Sequence, residues 1–130
     1  MPGSSLVFDT NAFIAWSFED AGVARQVLPY SEPVLTLISV GELIFGALRS
    51  GKPDANRLEL NRRLGSFRIL VPDMATAEVY GEVCYALRRK GRPIPDNDIW
   101  IAALALQHAL PLLTRDTHFR EVDGLTVLAW

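Results

Sequence analysis

Five short apolar runs alternate with stretches of helical spacing, and that alternation constrains the fold more than any other feature of the chain. The runs are Leu6-Val7-Phe8, Val34-Leu35-Thr36-Leu37, Ile69-Leu70-Val71, Leu112-Leu113 and Thr126-Val127-Leu128. They are too short for helices and are bounded by turn formers such as Asp9-Thr10-Asn11 and Pro72, so they read as strands buried on both faces. Between them, one helix is expected from Asp9-Thr10-Asn11 through Phe18 and another from about Asp20 to Leu28, stopped by Pro29. From Ser39, residues Val40, Leu43, Ile44, Ala47 and Leu48 trace one helical face. Gly51-Lys52-Pro53 breaks that helix, and Asp54 is placed to cap the next, which runs to about Leu64. Asp73 opens a helix whose Tyr80, Val83, Cys84 and Leu87 share a face, ending at Arg88-Arg89-Lys90-Gly91. A further helix spans about Asp96 to Ala109. Strand and helix alternating at these lengths predict a parallel sheet covered on both faces. With 130 residues and no linker, repeat or low-complexity tract, the expectation is a single α/β domain over residues 1–130.

The Asp96–Ala109 stretch is apolar around its whole circumference, because Ile99 to Leu106 is an unbroken apolar run. Such a helix must be covered on every side, and one small chain has difficulty doing that alone. Trp100 or a neighbour is therefore expected to contribute to a homodimer interface. The same run is far short of the ~20 residues that span a bilayer, and no basic residue precedes Arg25, so neither membrane insertion nor a secretory leader is expected. A single cysteine, Cys84, cannot form an internal disulfide and fits a reducing cytoplasm. The net charge of −2 argues against a strongly basic nucleic-acid coat protein. It leaves open a nuclease whose acids are concentrated in one pocket.

In parallel sheets, ligands bind beyond the carboxyl ends of the strands. There the chain carries Asp9 after the first strand, Glu42 in the helix after the second, Asp96 and Asp98 at the start of the apolar helix, and Thr114-Arg115-Asp116 after Leu112-Leu113. Each acid also has a purely structural use. Ser39-Val40-Gly41-Glu42 matches a capping box, Asp96 and Asp9 could cap helices, Asp98 would gain from a helix dipole, and Asp116 could form an Asx turn. Their repeated placement at one sheet edge favours a shared purpose. Two carboxylates about 4 Å apart repel by ~4 kcal/mol at an effective dielectric of ~20, so a cluster calls for a cation. Oxygen donors without a zinc-spaced Cys/His set suit Mg²⁺ or Mn²⁺. His108 falls at a helix C-terminus, where a dipole role is the simpler one. Magnesium held by carboxylates serves chiefly phosphoryl transfer. No G-x-x-x-x-G-K-[ST] loop is present, so a phosphodiester suits the chain better than a nucleoside triphosphate. Setting aside the five acids turns the net charge from −2 to +3. Arg49, Lys52, Arg57, Arg62, Arg63, Arg68, Arg88, Arg89, Lys90 and Arg92 are then candidate phosphate contacts, although several are equally a solvated helix face or a helix C-terminus.

Four segments together resemble the PIN-domain ribonucleases, specifically the VapC-type toxins of toxin–antitoxin modules. They are Leu6-Val-Phe-Asp-Thr-Asn11, Ser39-Val-Gly-Glu-Leu43 followed by Phe45-Gly-Ala47, Ile94-Pro-Asp-Asn-Asp-Ile-Trp-Ile-Ala-Ala103 and Leu113-Thr-Arg-Asp-Thr-His-Phe119. The resemblance implies a three-layer PIN-like fold with a central parallel sheet of four to five short strands. It implies an endoribonuclease dependent on Mg²⁺ (Mn²⁺ possible), with Asp9, Glu42, Asp98 and Asp116 as its acidic quartet. Asp9, Asp98 and Asp116 would be the metal ligands and Glu42 would hold the attacking water. Asn11, Thr114 and, less directly, Asp96 would support them. RNA, a cognate antitoxin protein and a second copy of the chain are the implied partners. Two other readings compete. A haloacid-dehalogenase-like phosphatase shares Phe8-Asp9-Thr10-Asn11 but needs a second Asp where Asn11 stands and a late Lys, whereas no Lys follows Lys90. A catalytically silent PIN-like binding module would have no need of the complete acid set.

Overall fold

Successive residues of the central strands point into two different cores, which is why these strands are apolar without interruption. The structure is a computed structural model describing residues 4–130. Its elements run β1 (Ser5–Phe8), α1 (Thr10–Ser17), α2 (Ala21–Val27), β2 (Glu32–Thr36), α3 (Leu37–Leu48), α4 (Pro53–Leu64), β3 (Arg68–Leu70), α5 (Met74–Arg89), α6 (Asp96–Gln107), β4 (Leu112–Leu113), a 3-10 helix (Thr117–Glu121) and β5 (Val127–Leu128). The five strands form one parallel sheet in the order β3-β2-β1-β4-β5. Val7, Val34 and Leu112 face one core, shared with α5, α6 and Phe119 of the 3-10 helix. Leu6, Phe8, Leu35 and Leu113 face the other, shared with α1, α2 and α4. This is the expected three-layer α/β arrangement. Phe67, just before β3, meets Phe8, Phe13 and Trp16 edge-on at ring separations of 5.0–5.2 Å, locking α1 to the sheet.

The all-apolar helix is covered differently from the expectation. Ile99 and Ile101 through Ala105 are buried by the chain's own α5, sheet and 3-10 helix. The half-buried Trp100 stacks on Tyr80 of α5 with ring centroids 4.0 Å apart. Burial of α6 therefore needs no second subunit.

Several boundaries also move. β2 ends at Thr36 because its hydroxyl accepts the Ser39 N–H at 3.2 Å, starting α3 at Leu37. Ser39 is thus inside the helix, and Glu42 takes no part in a capping box. Pro53 occupies the first turn of α4 and leaves Asp54 within the helix rather than capping it. Likewise Pro95 precedes α6, making Asp96 its first helical residue. α6 ends at Gln107 because Ala109 turns to a φ of +55°. The 3-10 helix, invisible as a periodicity, starts where Asp116 accepts the His118 N–H at 2.9 Å.

Candidate active site

β1 and β4 are neighbours, so the residues leaving their carboxyl ends meet at the point where the strand order reverses. Asp9 leaves β1 and is almost wholly buried, 4% exposed. One of its oxygens accepts the Ala12 N–H at 2.7 Å and caps α1; the other accepts the Thr114 hydroxyl at 2.5 Å. Thr114 leaves β4, is itself buried, and accepts the Asp116 N–H at 2.9 Å. One hydroxyl thus fixes two acids. Burial pushes the Asp9 carboxyl up to about 6 against the pull of its two hydrogen bonds, and the charges of Asp98 and Asp116 add to the rise.

Asp98 sits in the first turn of α6, half-buried beside Asp116. Its carboxyl is also raised, first by burial and then by the Asp116 charge, while a hydrogen bond from His118 pulls it back. His118 Nδ1 lies 3.0 Å from Asp116 Oδ1 and 3.5 Å from Asp98 Oδ2. Glu42 comes from α3 on the other side. The Thr10 hydroxyl donates to its Oε1 at 2.6 Å and shares a further hydrogen bond with the Ser39 hydroxyl at 2.9 Å; the Asn97 amide donates to Glu42 Oε2 at 3.2 Å. A cavity of about 150 Å³ is lined by Asp9, Thr10, Asn11, Glu42, Asp98 and Asp116.

The fold thus brings together all four acids of the expected quartet, with Asn11 at the rim and Thr114 beneath. It does not bring in Asp96. Two residues before Asp98 on a helix, Asp96 faces away, is exposed, and accepts a hydrogen bond from the Tyr80 hydroxyl. Sequence reasoning missed Thr10, Asn97 and His118. The signal for each was adjacency: Thr10 follows Asp9, Asn97 precedes Asp98, and His118 lies two residues past Asp116 in the 3-10 helix that Asp116 caps. One ligand atom each from Asp98, Asp116 and His118 lie within 4.8 Å of one another. Raised carboxyls facing one small cavity amount to uncompensated negative charge, and oxygen donors of that kind fit a hard divalent cation.

Residues 6–125 match the family model described as PIN domain. Among curated proteins, the chain is 32% identical to Ribonuclease VapC5 of Mycobacterium tuberculosis, over 91% of this chain and 87% of that one. It is 31% identical to Ribonuclease VapC1 of Haemophilus influenzae, over 81% and 77% of the two chains. Among solved structures it superposes on VapBC-1 from nontypeable Haemophilus influenzae with a TM-score of 0.89 and 27% identity, covering 97% of this chain and 98% of that one. VapBC-5 from Mycobacterium tuberculosis, a member of the VapBC family of toxin–antitoxin systems, matches with a TM-score of 0.76 and 30% identity over 97% of each chain.

Proposed function

Because the chain belongs to the PIN-domain family and to its VapC ribonucleases, we propose that it is the endoribonuclease toxin of a toxin–antitoxin pair, cutting RNA phosphodiesters with the help of Mg²⁺ or Mn²⁺. The observation that carries this reading is the convergence of Asp9, Glu42, Asp98 and Asp116 on one cavity. Asp9, Asp98 and Asp116 would hold the cation, and His118, whose Nδ1 lies 3.0 Å from Asp116 and 3.5 Å from Asp98, braces the latter two. When bound, the cation would stabilise charge on the phosphate oxygens and make a nearby water more acidic. Glu42, tethered by Thr10 and Asn97 but with acceptor capacity to spare, orients the attacking water and takes its proton as the water oxygen bonds to phosphorus. The bond from phosphorus to the departing ribose oxygen then breaks, and that oxygen takes up a proton from solvent to leave as a hydroxyl. Thr114 holds Asp9 in its orientation, and Asn11 at the rim meets the substrate side of the cavity.

The antitoxin has a seat beside this cavity. Ile14, Leu37, Phe45 and Leu48 are large, apolar and exposed on α1 and α3, and an open cavity of about 600 Å³ bordered by Leu37, Phe45, Glu42 and Asn97 adjoins the acids. A protein segment laid across it would cover apolar surface and obstruct the site together. The toxin works in the cytoplasm as one domain over residues 1–130, and as a homodimer through the surface around Met74 and Tyr85 of α5, both exposed.

Antitoxin-free protein incubated with single-stranded and structured RNA tests the reading. Cuts that require a divalent cation, stop in EDTA and fall at least about a hundredfold in Asp98→Asn are expected. Unchanged cutting in either condition rejects it. Glu42→Gln is expected to lose activity while its melting temperature holds, because the Thr36 hydroxyl, not Glu42, caps α3.

A further inference from the structure

Several basic side chains of this molecule are already engaged by acids or rings. Arg62 and Arg63 pair with Glu59, Arg68 pairs with Glu32 at 3.3 Å, and Lys90 pairs with Asp123 at 3.2 Å. Arg49, Arg89 and Arg115 lie over the rings of Phe45, Tyr85 and Trp130. Arg92 and Arg120 are exposed, have no carboxylate partner among the described residues, and line one open cavity of about 390 Å³ together with Ile94, Thr117, His118 and Glu121. Glu121 is the one acid among the lining residues, and Lys90 Nζ lies 4.0 Å from it.

Two features tie this cavity to the acids. His118 is a common wall, lining it while its Nδ1 reaches Asp116 and Asp98. Both arginines also sit on defined backbone. The Arg92 N–H closes the end of α5 on the Leu87 carbonyl at 2.9 Å, and Arg120 lies on the 3-10 helix that Asp116 begins. A polyanion approaching four clustered carboxylates is repelled unless cations beside them offset the charge, and a guanidinium offers a phosphate paired donors in a fixed fork. We propose that this cavity is a phosphate subsite, where Arg92 and Arg120 hold the RNA backbone phosphate neighbouring the one that is cut. The subsite rests on the nuclease reading above and adds to it where the substrate strand runs.

The test is fluorescence anisotropy with a labelled, mixed-sequence single-stranded RNA, in an Asp98→Asn background so that the RNA stays intact. Replacing both arginines (Arg92→Gln with Arg120→Gln) is expected to weaken binding about tenfold and to reduce the slope of log affinity against log salt by about 0.7, the share of one phosphate that is no longer held. Each single variant should fall between, with an unchanged melting curve. Arg25→Gln on α2 removes one charge, as each single variant does, but away from the cavity, and should bind as the background does. An equal loss in Arg25→Gln, or an unchanged affinity and salt slope in the double variant, overturns the subsite. So does a double variant that keeps its RNA affinity but loses its hold on the antitoxin, which would give the cavity to the protein partner. If the protein with both arginines intact binds RNA and the Asp98-containing enzyme cuts it, such a result removes the subsite alone. If neither binding nor cutting occurs, the nuclease reading falls with it.

Discussion

Asp9 shows how one side chain serves the fold and the chemistry together, since one oxygen caps α1 and the other meets Thr114. Its carboxyl is lifted from an ordinary 3.8 to about 6, so without a cation the folded state prefers it protonated. The stability linked to that proton is fully present below about pH 4 and is lost as pH rises through about 6, a cost of about 3 kcal/mol. Metal-free protein is therefore expected to melt at lower temperature at pH 7.5 than at pH 5. Asp9→Asn keeps an acceptor for the Ala12 N–H and should flatten that dependence while abolishing cleavage; calorimetry across pH reads the first and an RNA-cutting assay the second. A melting temperature that climbs steadily from pH 4 to 7 would contradict the account. Thr114→Val removes the donor that holds the Asp9 carboxyl down, so the acid limb of the pH–rate profile should move to higher pH. Thr114→Ser should restore it, whereas a loss of packing alone would leave the limb where it was.

At the scale of elements, the helix ends carry the clearest expectations. α5 and α6 close in the same way, with a left-handed residue whose N–H and whose successor's N–H reach back to helix carbonyls. After α5 that residue is Gly91, φ +68°, with open space around a would-be Cβ; after α6 it is Ala109, φ +55°. Gly91→Ala should therefore cost about 1 kcal/mol, and Ala109→Gly should add about 0.5 kcal/mol after the entropy of glycine is offset. Denaturant midpoints moving in the same direction for both would refute the strain argument. Strand positions were legible in the sequence because period-two burial on both faces leaves an uninterrupted apolar run. Caps were less so. Thr36 and Ser39 are both competent N-caps, and only the register of β2 decides between them. Asp96, read as a lesser supporter of Asp98, lies two residues before it, and a helix that turns about 100° per residue carries it away from the site. His118 went unrecognised because its position depends on a 3-10 turn that carries no periodic signature.

The whole molecule is organised by β1 at the centre of the sheet, with β2 and β4 on either side. Dimerisation belongs to this scale. Sedimentation at micromolar concentration should find a species of twice 14.4 kDa, and Met74→Glu with Tyr85→Glu on the outer face of α5 should return it to the monomer with its melting temperature nearly unchanged. A native chain that sediments as a monomer at that concentration would remove the dimer but leave the site intact, since α6 is buried within one chain. The same central strand has a consequence for when the protein can do harm. Val7 pairs with Leu112 and Phe8 with Leu113, so the first acid waits for a strand that lies much further along the chain. A nascent chain still being translated carries Asp9 and Glu42 but has no Asp116 to join them. The blade is assembled only once β4 and the residues that follow it have joined β1, and a chain halted before them has no edge to cut with.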